Sequence, residues 1–237
     1  VTGVDVSDRT IEFVQAGQLP FVEEGLEVAL AAAVNAGTLT AQKDTPPAEI
    51  YILSVPSPLT GDNQLETKFI DAATDAIIPQ LRGGELLLLE STVPPGTTER
   101  MADRVLAARP ELRTDESTGK PGLFFAHAPE RVLPGRVMIE MRTNDRVVGG
   151  TTPEATDKAA ELYRSFCTGK VILSDARTAE MSKLAENAYR DINIAYANEL
   201  SVICDELGID VWELIELANR HPRVDILQPG PGVGGHC

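Results

Sequence analysis

Cys237 stands at the end of the run Gly230-Pro231-Gly232-Val233-Gly234-Gly235-His236-Cys237. Glycines at this density let a backbone approach a phosphate or sugar closely, and a thiol delivered by such a loop is placed to attack a bound carbon. A Gly-Gly-x-Cys turn is also an ordinary structural feature, so the thiol gains meaning only from its company. Lys183, Asn187 and Arg190 follow one another at spacings of four and three, which puts an ammonium, an amide and a guanidinium on one helical face. That set suits an anionic, oxygen-rich substrate, although a solvated polar stripe has the same spacing. At the other end of the chain Asp5 closes a short apolar run, where an acid can bond the ribose hydroxyls of a dinucleotide or simply sit in solvent.

These groups need a scaffold, and the chain supplies an alternation of strand-like and helical runs. Residues 1–6, 50–55, 85–90, 123–127, 145–149 and 171–174 read as buried strands, and residues 8–16, 23–36, 67–81, 99 onward and 153–166 as the helices between them. Such alternation predicts an α/β fold with a parallel sheet and crossover helices. Ligands of an open α/β sheet bind at the carboxyl ends of its strands, which makes Ser57, Thr92 and Thr98 candidates for the cofactor side of a cleft. Residues 111–120 are polar and read as a surface excursion. A helix over 178–207 stops at Gly208, with Leu184, Ile192, Tyr196, Leu200, Ile203 and Cys204 as its packing positions, and a second helix covers 211–218 with Trp212 in the core.

Composition narrows the partners. The net charge of −15, from 36 acidic and 21 basic residues, repels nucleic acid and anionic membranes, and suits a salt-rich cytoplasm. No apolar run approaches the roughly 20 residues that cross a bilayer, and a cytoplasmic location is expected. Cys167, Cys204 and Cys237 are too few and too scattered for a disulfide framework or a metal cluster, and no metal is expected. The three histidines do not make a metal site either.

Taken together, several strings resemble the UDP-glucose/GDP-mannose dehydrogenase family of nucleotide-sugar 6-dehydrogenases. They are the Asp5 strand, Val55-Pro56-Ser57-Pro58, Glu90-Ser91-Thr92, Ala128-Pro129-Glu130-Arg131-Val132-Leu133-Pro134-Gly135, Arg177-Thr178-Ala179-Glu180-Met181, the Lys183/Asn187/Arg190 helix, Asn219-Arg220-His221-Pro222-Arg223-Val224 and the Cys237 loop. The resemblance implies a Rossmann-like NAD-binding domain over 1–177 and a central helical region over 178–237 that dimerises through the 178–207 helix. With no room for a glycine-rich turn before Asp5, the first βα unit is expected to be absent, as is a C-terminal nucleotide-binding domain. The fragment alone is then expected to be inactive.

The chemistry implied is a four-electron oxidation of a UDP-sugar at C6 by two NAD⁺. Cys237 would form a thiohemiacetal and then a thioester. Lys183 and Asn187 would stabilise the oxyanion, and Glu130, with Thr92, would activate the hydrolytic water. Arg131, Val132, Arg190, His221 and Arg223 would hold sugar and diphosphate under a loop opened by Gly232 and Gly234, while Asp5, Ser57, Thr92 and Thr98 would face NAD. Pro134, where enzymes acting on UDP-glucose tend to carry a second acid, favours UDP-N-acetyl-D-mannosamine over UDP-glucose. UDP-N-acetylglucosamine and a non-catalytic nucleotide-sugar or NAD-binding module remain alternatives.

Overall fold

The computed structural model describes residues 1–62, 64–113 and 122–231. The chain divides into two compact units, Val1–Met181 and Ser182–Cys237. In the first, the elements run β1 (Thr2–Val4), α1 (Asp8–Gln15), α2 (Leu26–Asn35), β2 (Thr40–Gln42), β3 (Ile50–Leu53), α3 (Lys68–Ile77), β4 (Leu86–Leu89), α4 (Thr97–Ala108), β5 (Phe124–His127), α5 (Val137–Thr143), β6 (Arg146–Gly150), α6 (Pro153–Arg164) and β7 (Val171–Asp175). A long helix, α7 (Ala176–Leu207), continues through the division into the second unit, where α8 (Val211–Ala218) follows.

The mixed α/β reading holds. β1 and β2 form a parallel pair, and β3-β4-β5-β6-β7 form a five-stranded sheet. β4 is its spine: Leu86, Leu87, Leu88 and Leu89 are all completely buried, which a strand covered on both faces requires. Leu87 and Leu89 meet Tyr51, Leu53, Ile70, Met101, Val105 and Phe125 on one face, while Leu86 and Leu88 meet Ala126, Val148, Ala159 and Tyr163 on the other. Each such leucine contributes about 1.5–3 kcal/mol.

The sheet departs from the all-parallel expectation at one ladder. β6 runs antiparallel to β5, through the pairs Ala126–Gly150 and His127–Gly149, and β7 then runs parallel to β6. The register carries β6 past the carboxyl end of β5, so β7 ends level with that edge of the sheet. Gly149 permits the packing that follows, because a Cβ there would lie 2.1 Å from the Asp175 carbonyl oxygen.

Other differences are local. Residues 23–25 lie outside α2, which begins at Leu26 after Gly25 at φ +79°, and Glu23 takes a separate role described below. β2 and α5 were not expected from sequence. In the second unit Leu184 and Leu200 are half-buried, but Ile192 is 68% exposed and Tyr196 and Ile203 are also exposed. Cys204 is buried as expected, and the buried line of α7 there runs through it and Ala197, seven residues apart on one helical stripe. Trp212, expected in the core, is 55% exposed, and Ile215 is the buried residue of α8. Asp210 explains why α8 starts where it does, its carboxylate accepting the N–H groups of Trp212 and Glu213.

Candidate functional site

In the first unit the candidate residues gather at the carboxyl ends of β1, β3, β4 and β5. Asp5 directly follows β1, half-buried, with Oδ1 accepting the Ser7 N–H at 2.7 Å. The loops after β3 and β4 are tied together by Ser91, whose hydroxyl donates to the Val55 carbonyl at 2.7 Å and accepts the Val55 N–H at 2.9 Å. Ser57 and Thr92 sit half-buried on these joined loops.

Thr98 has another task than the expected cofactor contact. It is completely buried, and both its N–H and its hydroxyl donate to Glu180 Oε1 at 2.7 Å. The Gly96 N–H donates to Glu180 Oε2 at 2.6 Å. Glu180, itself fully buried in the first turns of α7, thus caps the N-terminus of α4 from 82 residues away in sequence. A carboxylate there satisfies orphan donors and meets the positive end of the helix dipole. Arg177, one turn earlier, reinforces the docking with a two-pronged pair to Glu99.

After β5 comes the 128–135 segment. Glu130 is half-buried, and its Oε2 accepts the Val132 N–H at 2.7 Å. Its Oε1 is buried and has no hydrogen-bond partner among the described residues. Glu130, Arg131 and Val132 share a narrow crevice with Asn144 and Arg146. The antiparallel register of β6 puts Arg146 level with this segment. Its guanidinium lies over the Tyr163 ring, 5.1 Å from the ring centre, and the Tyr163 hydroxyl bonds Glu90, which also accepts from Ser54 Oγ. Burial, and then the charge of Glu90, push the Tyr163 phenol far above its ordinary range, so it stays a neutral donor.

His127 lies behind the segment, completely buried, with neither ring nitrogen hydrogen-bonded among the described residues. Desolvation pushes its pKa down to about 4 from 6.5. The unfolded chain therefore takes up a proton first as the pH falls. The titration of His127 leaves stability unchanged above pH 6.5, removes about 3 kcal/mol progressively between pH 6.5 and 4, and adds no further loss below that. Urea titrations of the first unit at pH 7 and pH 4.5 are expected to show this loss, and His127→Leu to show correspondingly less of it.

In the second unit Lys183 and Asn187 are half-buried on α7 and Arg190 is exposed. His221 and Arg223 are exposed, with the Arg223 N–H donating weakly to His221 Nδ1 at 3.4 Å. Two asparagines steer the chain beyond them, Asn219 of the 219–224 string and Asn198, which no sequence motif marks. Asn219 exchanges two hydrogen bonds with the backbone of Ile226, at 2.8 and 2.9 Å, and Asn198 does the same with Gly230, both at 2.9 Å. Each amide imitates a strand neighbour and fixes the backbone that leads into the glycine run. Gly232, Gly234 and Cys237 lie outside the described residues. Among the described residues no group of histidine, cysteine and carboxylate side chains could hold a metal ion, and no helix is long and apolar enough to cross a membrane.

The chemistry of the first unit fits a dinucleotide. Asp5 offers a carboxylate at the end of β1, where ribose hydroxyls are accepted, and Ser57 and Thr92 sit on the joined loops after β3 and β4 of the larger sheet. Residues 1–167 match the model of the UDP-glucose/GDP-mannose dehydrogenase family, NAD binding domain, and NAD is the cofactor of this domain. Residues 177–237 match the central domain of the same family. The chain is 50% identical to the NDP-N-acetyl-D-galactosaminuronic acid dehydrogenase of Ralstonia nicotianae, over all of this chain and 56% of that protein. It is 49% identical to the UDP-N-acetyl-D-mannosamine dehydrogenase of Yersinia pestis, over all of this chain and 57% of that one. The solved UDP-D-ManNAc dehydrogenase of Pyrococcus horikoshii superposes with a TM-score of 0.93 at 39% identity, again over the whole chain and 56% of its own length. The chain thus spans little more than half of the relatives it matches, and within that span, by motif, fold and sequence alike, it belongs to the UDP-glucose/GDP-mannose dehydrogenase family.

Proposed function

We propose that the full-length protein oxidises the C6 alcohol of UDP-N-acetyl-D-mannosamine to the carboxylate. The observation that carries this reading is the Glu130 carboxylate, with one oxygen fixed by its own loop and the other buried and unpartnered, as a base awaiting a water requires. The high identity to a relative named for this substrate supports it. In this reading residues 1–177 hold the cofactor through Asp5, Ser57 and Thr92, and residues 178–237 supply most of the substrate contacts. NAD⁺, when bound, accepts a hydride from C6 in each of the two oxidations.

The chain's own groups do the rest. Lys183 Nζ and Asn187 Nδ2 hydrogen-bond the C6 oxygen and stabilise its negative charge as it develops. The Cys237 thiolate adds to the aldehyde carbon to give a thiohemiacetal, whose oxidation leaves a thioester. Glu130 Oε1 then takes a proton from water, with Thr92 as an auxiliary contact. The hydroxide adds to the thioester carbon, the carbon–sulfur bond breaks, and the Cys237 thiolate leaves. Arg131, Val132, Arg190, His221 and Arg223 bind sugar and diphosphate, and Gly232 and Gly234 let the nucleophile loop approach them. The exposed Tyr189, Ile192, Tyr196 and Ile203 of α7 support a homodimer through the 178–207 helix, checked by light scattering of the full-length protein.

The Ralstonia relative, equally similar, favours a second reading in which the sugar is an N-acetylgalactosamine nucleotide. Offering the full-length protein the UDP derivatives of N-acetylmannosamine, N-acetylgalactosamine, N-acetylglucosamine and glucose separates these readings. Two NADH per UDP-N-acetylmannosamine is the expected result. Turnover confined to another sugar moves the substrate within the family, and turnover of none, with NAD still bound, leaves a binding module.

A further inference from the structure

We propose that Glu23 is a positioning residue for Glu130, holding the 129–137 loop from outside so that the carboxylate keeps its hydrolytic oxygen in place; this rests on the reading of Glu130 as the base for thioester hydrolysis. The loop has no regular hydrogen-bonding ladder, and carboxylates replace it. The Val132 N–H donates to Glu130 itself, and the Leu133 N–H donates to Glu140 Oε2 at 2.9 Å. Glu140 lies on α5, in the same stretch of chain, so these two bonds shape the loop without anchoring it elsewhere.

Glu23 supplies such an anchor. It belongs to the connection between α1 and α2, more than a hundred residues earlier, and only 8% of it is exposed. Its Oε2 accepts the Gly135 N–H at 2.7 Å and its Oε1 the Val137 N–H at 2.8 Å. Gly135 takes φ +85°, a left-handed turn natural to glycine, and this turn brings both N–H groups to one carboxylate. Val137 is also the first residue of α5, so the same carboxylate caps a helix N-terminus. Hydrogen bonds to an ionised acceptor are the strong ones, and a partly buried pair of them fixes a loop where a solvated bond would not. Glutamine in place of Glu23 keeps the shape but offers one acceptor and turns an amide N–H₂ toward the other backbone donor, removing one bond and opposing its former partner.

The experiment uses the full-length protein with NAD⁺ and the UDP-sugar it turns over, and compares Glu23→Gln with Glu130→Gln. In Glu23→Gln, hydrogen exchange at the amides of Gly135 and Val137 is expected to quicken. Both hydride transfers persist as a burst of NADH, steady turnover falls by about 10- to 100-fold, and a covalent acyl adduct on Cys237 accumulates by intact mass, as it does in Glu130→Gln. Glu23→Asp, which keeps the charge but shortens the reach, gives the same pattern to a smaller degree and serves if the amide variant folds poorly. Unchanged exchange overturns the proposal. So does a burst that falls in proportion to turnover with no adduct, the signature of a purely structural residue. An adduct in Glu130→Gln but not in the Glu23 variants overturns the role of Glu23 alone, whereas its absence in Glu130→Gln overturns the reading of Glu130, and with it the role given to Glu23.

Discussion

Cys237→Ala in the full-length protein is expected to abolish NADH formation from the UDP-sugar, with a loss of at least about 10⁴-fold in kcat, while NAD binding is retained. The size follows from the position of the thiol in the sequence of steps. Without it, no covalent adduct links the aldehyde to the second oxidation, and removing the nucleophile of a multi-residue site typically costs as much as removing the whole constellation. Cys237→Ser is a sharper test of chemistry against shape. An alcohol of pKa far above that of a thiol cannot supply the nucleophilic anion at neutral pH, so it should be nearly as slow despite its similar size. Continued production of two NADH per sugar by either variant would exclude the thioester route. A parallel titration of NAD by fluorescence or calorimetry should show affinity within about threefold of the parent, because the cofactor contacts proposed here lie on residues 1–177.

Glu180→Ala should be the most damaging single change in the first unit away from its apolar core. It strips three charge-assisted hydrogen bonds from the N-terminus of α4 and leaves the Gly96 and Thr98 N–H groups and the Thr98 hydroxyl buried without partners. Each orphaned buried donor costs about 1–3 kcal/mol, so a combined loss of about 3–5 kcal/mol is expected, some 10 °C in Tm for a domain of this size. Glu180→Gln keeps the volume and one acceptor and should lose about half as much. Arg177→Ala breaks the exposed pair with Glu99 and should leave Tm close to that of the parent, since solvent screens it. A Glu180→Ala variant as stable as the parent would mean that the carboxylate contributes no net stability to this end of α4.

The contrast between Glu180 and the elements around it shows what a sequence makes legible. The expected strands 50–55, 85–90 and 123–127 match β3, β4 and β5 to within a residue or two because buried runs such as Leu86–Leu89 announce themselves, and the expected 211–218 helix coincides with α8. The direction of β6 was not legible, because an apolar run reads the same in a parallel and an antiparallel ladder, and only its pairing with β5 fixes which it is. β2 is three residues long with two exposed, and α5 has no side-chain cap of its own, so neither carries a strong local signal.

In the candidate site, motif strings point to Glu130, Thr92 and the Lys183 helix. The sequence could not indicate that Thr98 faces Glu180. A carboxylate reads as solvated by default, and its burial depends on backbone donors that only folding assembles. The one local signal is an acid between Ala179 and Met181 in the first turns of a helix, within the 177–181 string. Trp212 and the exposed apolar residues of α7 failed for the opposite reason: hydrophobicity indicates that a residue is to be covered, and not whether this chain or another covers it.

The reversal at β6 also determines where the first unit relies least on backbone pairing. Residues 146–175 form a βαβ piece with its own continuous ladder from Arg146–Val171 to Gly150–Asp175, and β3 to β5 are joined by equally continuous ladders. Between the two pieces the described pairing consists of Ala126–Gly150 and His127–Gly149. With so little backbone pairing across this seam, its two sides are held mainly by side chains, Leu86 and Leu88 meeting Val148, Ala159 and Tyr163 across it. His127 lies on the seam, so its protonation loosens the sheet where the backbone ladder is thinnest.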